Sequence, residues 1–300
     1  MTGGEPARYF FCHLQKTGGT AMFQRLREHF GRDGVYPQPD DQFTIEGVLD
    51  VDHVVRRFAE ERDRIRVVTG HFPLCTVDLL GVPFTCFTVL RDPVERTLSF
   101  LRHQARTIDA PLAEIYEDPM RFDALIHNHM VKMLSLTADE MTHGAVTKVD
   151  FGPEHLDRAR RNLRERIEVF GLQENLDEFC EELERRYGWD LGDPRFANRN
   201  FGEYEVDASL RRRIADDNAL GRLLFVCVDF LGRLVELLVL RVDVDVIQPL
   251  LGRVRQRDAH VERGGAAHDV IRRVSLLDVV QTQVKVEGGL AAFTGRLLGA

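Results

Sequence analysis

The sequence predicts an α/β fold, a parallel central sheet flanked by helices. Three observations carry this. Short apolar runs alternate with amphipathic stretches of helical period through the first half of the chain, the pattern of βαβ units. A glycine-bearing turn follows the first apolar run and opens the first helix. The 300 residues are 44% hydrophobic and 29% charged, a globular composition with length for one large α/β domain or two small ones.

Taken in order, residues 9–14 form the first strand and run into the turn HLQKTGGTAMFQ (13–24). A helix over about 19–30 places Met22, Phe23, Leu26 and Phe30 on one face and stops at Gly31. Residues 35–47, rich in Pro, Asp and Gln, read as a loop, and a charged amphipathic helix near 50–63 leads to the second strand, IRVVTGH at 65–71. A connection over 72–82 precedes the third strand, FTCFTVL at 84–90. Arg91-Asp92-Pro93 then opens a helix carrying Val94, Leu98 and Leu101, with Asp92 as N-cap and Pro93 at the first helical position. Residues 107–150 are irregular, with helical pieces at 111–117 and 122–136. An Arg-rich helix (154–168), a fourth strand (168–172) and a helix (175–187) burying Leu176, Phe179, Cys180 and Leu183 follow. A polar loop at 193–204 leads to a helix from 207 past 225. The pattern weakens beyond Leu240, so 1–240 reads as the main domain and 241–300 as an appended element, expected to serve homo-oligomerisation.

Composition narrows the function. A formal net charge of −8 argues against a general nucleic-acid binder, so any anionic ligand must meet locally placed cations. The N-terminus MTGGEPAR lacks the apolar stretch of a signal peptide. The greasiest segment, 223–240, is interrupted by Asp229, Arg233 and Glu236, so no transmembrane span is expected and the predicted location is cytoplasmic. Five scattered cysteines, mostly within apolar runs and with no CxxC pair, fit a reducing compartment and argue against a structural zinc site. Thirty-six arginines stand against four lysines, Lys16, Lys132, Lys148 and Lys285. Where Arg is the default cation, a Lys marks a requirement for Lys, and Lys16 sits in the first turn.

Three constellations carry chemistry. In the turn, Gly18 and Gly19 remove the Cβ atoms that would block an anion from the backbone, Lys16 supplies a mobile charge, and Thr17 and Thr20 supply hydroxyl donors. A plain tight turn is the alternative. A Walker A loop is excluded because Lys16 precedes the glycines. Second, Arg91 ends a strand and Ser99 lies eight residues on, about two helical turns, which fits a receptor for a separate phosphate. The alternative pairs Arg91 with Asp92 and leaves Ser99 in water. Third, His71 ends the second strand at the same sheet edge, where a neutral imidazole can take a proton from a hydroxyl; a structural histidine is the alternative. His127 and His129 read as polar surface or acceptor-pocket residues rather than metal ligands, RARRNLRERIE (158–168) as a solvated face, and Phe84 and Phe87 as core.

Together these motifs point to one family. QKTGGTAMFQRL resembles the 5′-phosphosulfate loop of sulfotransferases that use 3′-phosphoadenosine 5′-phosphosulfate (PAPS), and VLRDPVERTLSF resembles their 3′-phosphate motif. The chain is most similar to the carbohydrate branch akin to heparan sulfate 2-O- and 6-O-sulfotransferases, where a Pro-Lys-Thr-Gly-x-Thr loop, a Gly-His segment and an Arg-Asp-Pro-x-x-Arg run recur in this order. NHMVKMLSL (128–136) and VFGLQENLDEFCEEL (169–183) share the likeness, which spans approximately residues 8–230. Gln15 replaces the usual Pro, and residues 240–300 match nothing in the family.

The resemblance implies a P-loop-NTPase-like sulfotransferase fold with PAPS as co-substrate and no metal. Gln15, Lys16, Thr17, Gly18, Gly19, Thr20 and Ala21 would hold the 5′-phosphate, with Lys16 neutralising charge on the leaving group. Arg91 and Ser99 would bind the 3′-phosphate, His71 would be the general base, and Leu172, Phe196 and Arg199 would help hold the adenine and 3′-phosphate. The acceptor would be a hydroxyl of a carbohydrate, glycolipid or small metabolite, met along 35–47, 72–82 and 103–150. Two rivals stand beside this: a P-loop kinase-like enzyme that uses ATP, and a non-catalytic nucleotide-binding assembly module.

Overall fold

The apolar tetrapeptide Tyr9–Cys12 forms the central strand, β1, buried along its whole length. The computed structural model describes residues 7–141, 143–192 and 206–226. After β1 come helix α1 (Gly19–Phe30), the two-residue strand β2 (Val35–Tyr36), helices α2 (Ile45–Leu49) and α3 (Val51–Glu60), and strand β3 (Val67–Gly70). A short helix α4 (Thr76–Leu79) precedes β4 (Thr85–Leu90) and α5 (Pro93–Gln104). Helices α6 (Leu112–Glu117), α7 (Pro119–Arg121), α8 (His129–Ser135) and α9 (Pro153–Glu165) lead to β5 (Ile167–Leu172), α10 (Leu176–Tyr187) and α11 (Ala208–Asp217).

The five strands form one sheet in the order β2-β3-β1-β4-β5, and every neighbouring pair is parallel. Parallel strands carry helices on both faces, which is why their sequences read as unbroken apolar runs rather than alternating ones. Side chains of successive strand residues point to opposite faces. Tyr9 and Phe11 pack with Met22 and Leu26 of α1, Phe87 of β4, and Phe179 and Leu183 of α10 in one cluster. Trp189 closes this cluster edge-on against Tyr9, with ring centroids 4.7 Å apart. Phe10 meets Phe84, and Phe84 meets Phe58 of α3. Each fully buried aromatic contributes roughly 1.5–3 kcal/mol. Phe87 serves the core as expected, whereas Phe84 is half-buried just before β4 and packs at the edge against Phe10 and Phe58.

Several elements differ from the sequence reading. The segment read as a loop over 35–47 contains β2, a strand too short to show a period, and the start of α2. The piece read as one helix over 122–136 is broken. Residues Phe122–Ile126 form a π-helical turn in which His127 N donates to Phe122 O at 2.9 Å. Asn128 then takes a left-handed conformation (φ 44°) before α8 begins. The helix expected from 207 past 225 is interrupted at Asn218, whose side chain accepts from Asn128 N at 2.9 Å, while Asn128 Oδ1 accepts from Gly221 N at 3.0 Å. This asparagine exchange cross-links two helix breaks and satisfies buried amides that neither helix can. The Arg-rich α9 buries Leu156, Ala159 and Leu163 and keeps its arginines at the periphery, as a solvated face does. The 193–204 loop and the division at 240 lie outside the described residues. Among the described residues no helix is long and apolar enough to cross a membrane.

Candidate active site

The connections leaving the sheet reverse direction beside β1: the chain goes from β1 toward β2 on one side and from β4 toward β5 on the other. The crevice at the carboxyl ends of such strands is where open α/β sheets bind ligands. Three segments converge there: the loop after β1, the Arg91 turn after β4 and His71 after β3.

The loop after β1 turns at once. Leu14 N donates to Cys12 O at 3.1 Å, and the buried Thr17 hydroxyl donates to Leu14 O at 2.8 Å. Lys16 and Gly18 adopt left-handed backbone, at φ 67° and 91°. α1 starts at Gly19 with no side-chain N-cap and no acidic residue in its first turn. Its first amides are the orphan donors of a helix terminus and carry the positive end of the helix dipole. Gln15, Lys16, Gly18 and Ala21 are half-buried, Gly19 is buried and Thr20 is exposed.

Two expectations about this loop need correction. The Thr17 hydroxyl is not a free donor to an anion, because its hydrogen is committed to Leu14 O. The glycines also have another reason. A Cβ on Gly19 would lie 1.7 Å from His13 Nε2, so Gly19 also makes room for the His13 imidazole. A Cβ on Gly18 would meet Leu176 at 3.3 Å, and its left-handed backbone is the stronger constraint.

Arg91 reaches across from β4 and donates from Nη1 to Lys16 O at 3.0 Å. The rival pairing with Asp92 does not form. The Asp92 carboxylate caps α5, accepting from Val94 N at 3.0 Å and Glu95 N at 2.9 Å, with Pro93 at the helix start as expected. Thr88 Oγ1 donates to Cys12 O at 2.7 Å and draws β4 against the root of the loop. Ser99 lies half-buried on α5, and Leu172 is half-buried at the end of β5, next to the Gln173 turn that approaches Gly18. Arg199 lies outside the described residues.

His71 follows Gly70, whose φ of 143° brings the chain sharply around: a Cβ there would strike the Phe72 ring at 2.3 Å. Its main-chain N–H donates to Val48 O at 2.8 Å, and its Nδ1 lies 3.3 Å from His13 O. If Nδ1 carries the hydrogen, as that carbonyl demands, Nε2 presents a lone pair. The segment supplying Val48 is braced. Buried Asp41 accepts from His53 Nε2 at 2.8 Å and Arg57 Nε at 3.3 Å, and Tyr36 Oη donates to Gly47 O at 2.7 Å.

Burial and neighbouring cations dominate the electrostatics around Lys16 and His71. Burial lowers the Lys16 pKa, and Arg106, Arg91 and Arg96 lower it further. Burial pushes His71 down to about 4, the His13 carbonyl opposes this, and Lys16 adds to it. His13 is held well below its usual range by burial, then by His71 and Lys16. Burial lowers Arg91, while nearby Glu95 and Glu174 oppose and Arg102 reinforces the shift. In a chain of net charge −8, Lys16, Arg91, Arg96 and Arg106 form a local group of cations that can attract an anion.

Sequence reasoning missed four contributors. In the sequence His13 merely opens the turn after the first strand. Arg102 follows Ser99 by three residues on α5, and its Nε is buried without a hydrogen-bond partner. Helical spacing from Ser99 could have found it. Arg96 is fully buried and donates from Nη2 to Leu125 O at 2.9 Å. Lys132, also fully buried, donates to the carbonyls of Asp123 and Thr147, each at 3.2 Å, and of Ala124. Lys132 was visible as one of four lysines, but nothing in its spacing named three carbonyl partners. His127 stacks on Phe122 with centroids 5.2 Å apart, and His129 is buried.

No protein-family profile matches the chain, and no curated protein matches it. Among solved structures it is similar to the crystal structure of a sulfotransferase from Alicyclobacillus acidocaldarius, at 16% sequence identity and a TM-score of 0.47, over 75% of this chain and 96% of that one.

Proposed function

We propose that the chain is an O-sulfotransferase that moves the sulfuryl group of PAPS to a hydroxyl of a carbohydrate, glycolipid or small metabolite. The observation that carries the reading is the convergence of the Lys16 loop, Arg91 and His71 on one crevice at the carboxyl edge of β1, β3 and β4. The residues present fit such a donor. An uncapped helix start with no first-turn acid suits the 5′-phosphate, and Arg91, with Ser99 two turns into α5, would take a second, separate phosphate.

The donor, when bound, supplies an electrophilic sulfur and a good leaving group. His71 Nε2 takes the acceptor's hydroxyl proton while the hydroxyl oxygen bonds to sulfur. The bond from sulfur to the 5′-phosphate oxygen breaks, and 3′,5′-ADP leaves with the electron pair. Lys16 and the loop amides stabilise the charge gathering on that phosphate. Positioning and electrostatics do most of the work, as in phosphoryl transfer, and the reading needs no metal. The likeness to the heparan sulfate branch, a cytoplasmic setting and assembly through residues 241–300 belong to the same proposal.

The test is a competitive titration with 3′,5′-ADP and ADP, followed by transfer from labelled PAPS to total lipid and glycan extracts. The expected result is a clear preference for 3′,5′-ADP and a labelled hydroxyl acceptor. A preference for ADP would move the chain to ATP-dependent phosphotransfer. Tight 3′,5′-ADP binding with no transfer to any acceptor would make it a non-catalytic nucleotide-binding module.

A further inference from the structure

In the parallel register Cys12 of β1 pairs with Gly70 of β3, so His13 and His71 are each the first residue beyond a paired strand end. Their ring centroids lie 4.5 Å apart at an interplanar angle of 49°. The His13 ring also stacks on Phe11, 5.5 Å away and parallel within 4°. From the helix side it lies against the α-carbon of Gly19, so close that a Cβ would meet three of its ring atoms at 1.7–2.4 Å. The ring is thus wedged among Phe11, Gly19 and His71, while its own main-chain oxygen stands 3.3 Å from Nδ1 of His71.

We propose that His13 is a positioning residue of this site: its wedged ring fixes the His13 carbonyl against Nδ1 of His71 and so presents Nε2 of His71 as the proton acceptor. The inference rests on the reading of His71 as general base. A carbonyl that accepts from Nδ1–H selects the tautomer with a lone pair on Nε2. When Nε2 has taken the hydroxyl proton, the same carbonyl still accepts from Nδ1–H and stabilises the imidazolium, the role a carboxylate plays in a catalytic triad. A carboxylate here would stand beside the anionic donor and repel it, whereas a carbonyl orients without a full negative charge.

The surroundings fit this division of labour. The titratable groups facing His71 are His13 and Lys16 from the loop and His129 from α8. All are potential cations, and burial keeps His13 neutral, so its ring acts through shape. Gly19 belongs to both the anion loop and the socket, so the base and the cradle are set by one piece of backbone.

The experiment compares H13A, H13F, G19A and H71A in sulfate transfer across pH, with 3′,5′-ADP affinity and thermal unfolding as controls for the loop. H13A empties the wedge and G19A displaces the ring. Both are expected to lower kcat by about tenfold or more and to move the acid limb of its pH profile; 3′,5′-ADP affinity should stay within about twofold of wild type for H13A, whereas G19A, in the anion loop itself, should weaken it as well. H13F restores a planar ring and is expected to recover most of the kcat that H13A loses. If H13A leaves kcat and the pH profile unchanged, or lowers donor affinity in step with kcat, the positioning role is overturned. If H13F is as impaired as H13A, shape is not the cause and the wedge is overturned. H71A distinguishes the underlying reading: full activity there removes the general base itself, whatever His13 does.

Discussion

Arg91 Nη1 donates to the main-chain oxygen of Lys16 at 3.0 Å, a bond spanning seventy-five residues of sequence and joining the two halves of the crevice. A guanidinium has further N–H groups, so Arg91 can hold the loop and still offer donors to a phosphate.

R91A therefore removes both a strut and a cation. A charge-assisted bond to a ligand is worth about 1.5–3 kcal/mol, so 3′,5′-ADP should bind on the order of tenfold to a hundredfold more weakly. ADP, which lacks the 3′-phosphate, should lose far less. R91K keeps the charge but not the fork and should fall between the two. Isothermal titration with both nucleotides checks this, and equal losses for the two would remove Arg91 from the 3′-phosphate.

Lys16 is crowded by Arg106, Arg91 and Arg96, and its pKa is lowered because burial and these neighbours disfavour its charge. A cation held against such repulsion is kept for its ligand. K16A should lower kcat by about a hundredfold or more, the scale of losing a donor to a developing oxyanion. The same substitution should raise the melting temperature of the ligand-free protein, since it relieves repulsion. Melting curves with and without 3′,5′-ADP test the pairing, and a lower ligand-free Tm for K16A would contradict it.

The pH dependence follows from His71, lowered from 6.5 to about 4 chiefly by burial. A base works only when deprotonated, so kcat/KM should stay level from pH 7 downward and fall as pH drops through about 4. A bound anionic donor offsets the influence of Lys16, so the acid limb of kcat should lie at higher pH than that of kcat/KM. Stability runs in the same direction. Between pH 6.5 and about 4 the unfolded chain takes up a proton that the folded chain does not, so this contribution is lost as pH falls across that window. An NMR titration of the His71 imidazole with and without 3′,5′-ADP measures both values, and identical values would refute the coupling.

Much of this fold was legible because parallel strands announce themselves as apolar runs, and YFFC, VVTG and TCFTVL all became strands. β2 was not, because two residues cannot show a period. The break at Asn128 was hidden because its partner, Asn218, is ninety residues away. At the site, Lys16, Arg91 and His71 were legible from their places at strand ends. His13 was not, since its meaning depends on Cys12 and Gly70 being paired, which only the sheet register reveals. The glycines were recognised, but the His13 ring beside Gly19 was not, because the sequence does not tell which side chain fills the space of a missing Cβ.

Lys132 yields the last prediction. Its Nζ gathers the carbonyls of Asp123, Ala124 and Thr147 and holds the π-helical turn that precedes α8. K132M fills similar volume but leaves buried carbonyls unpaired, a cost of roughly 3 kcal/mol. Nucleotide preference should survive, since no ligand contact is lost. Burial, with Arg96 beside it, lowers the Lys132 pKa from 10.5 to about 7. Above about pH 7 the folded chain releases a proton that the unfolded chain retains up to 10.5, so this contribution to stability grows as pH rises through that window. Denaturant unfolding from pH 6 to 9 should therefore show the gap between wild type and K132M widening with pH. A gap that narrows instead would mean that the fold stabilises the ammonium, with the three carbonyls outweighing both burial and Arg96.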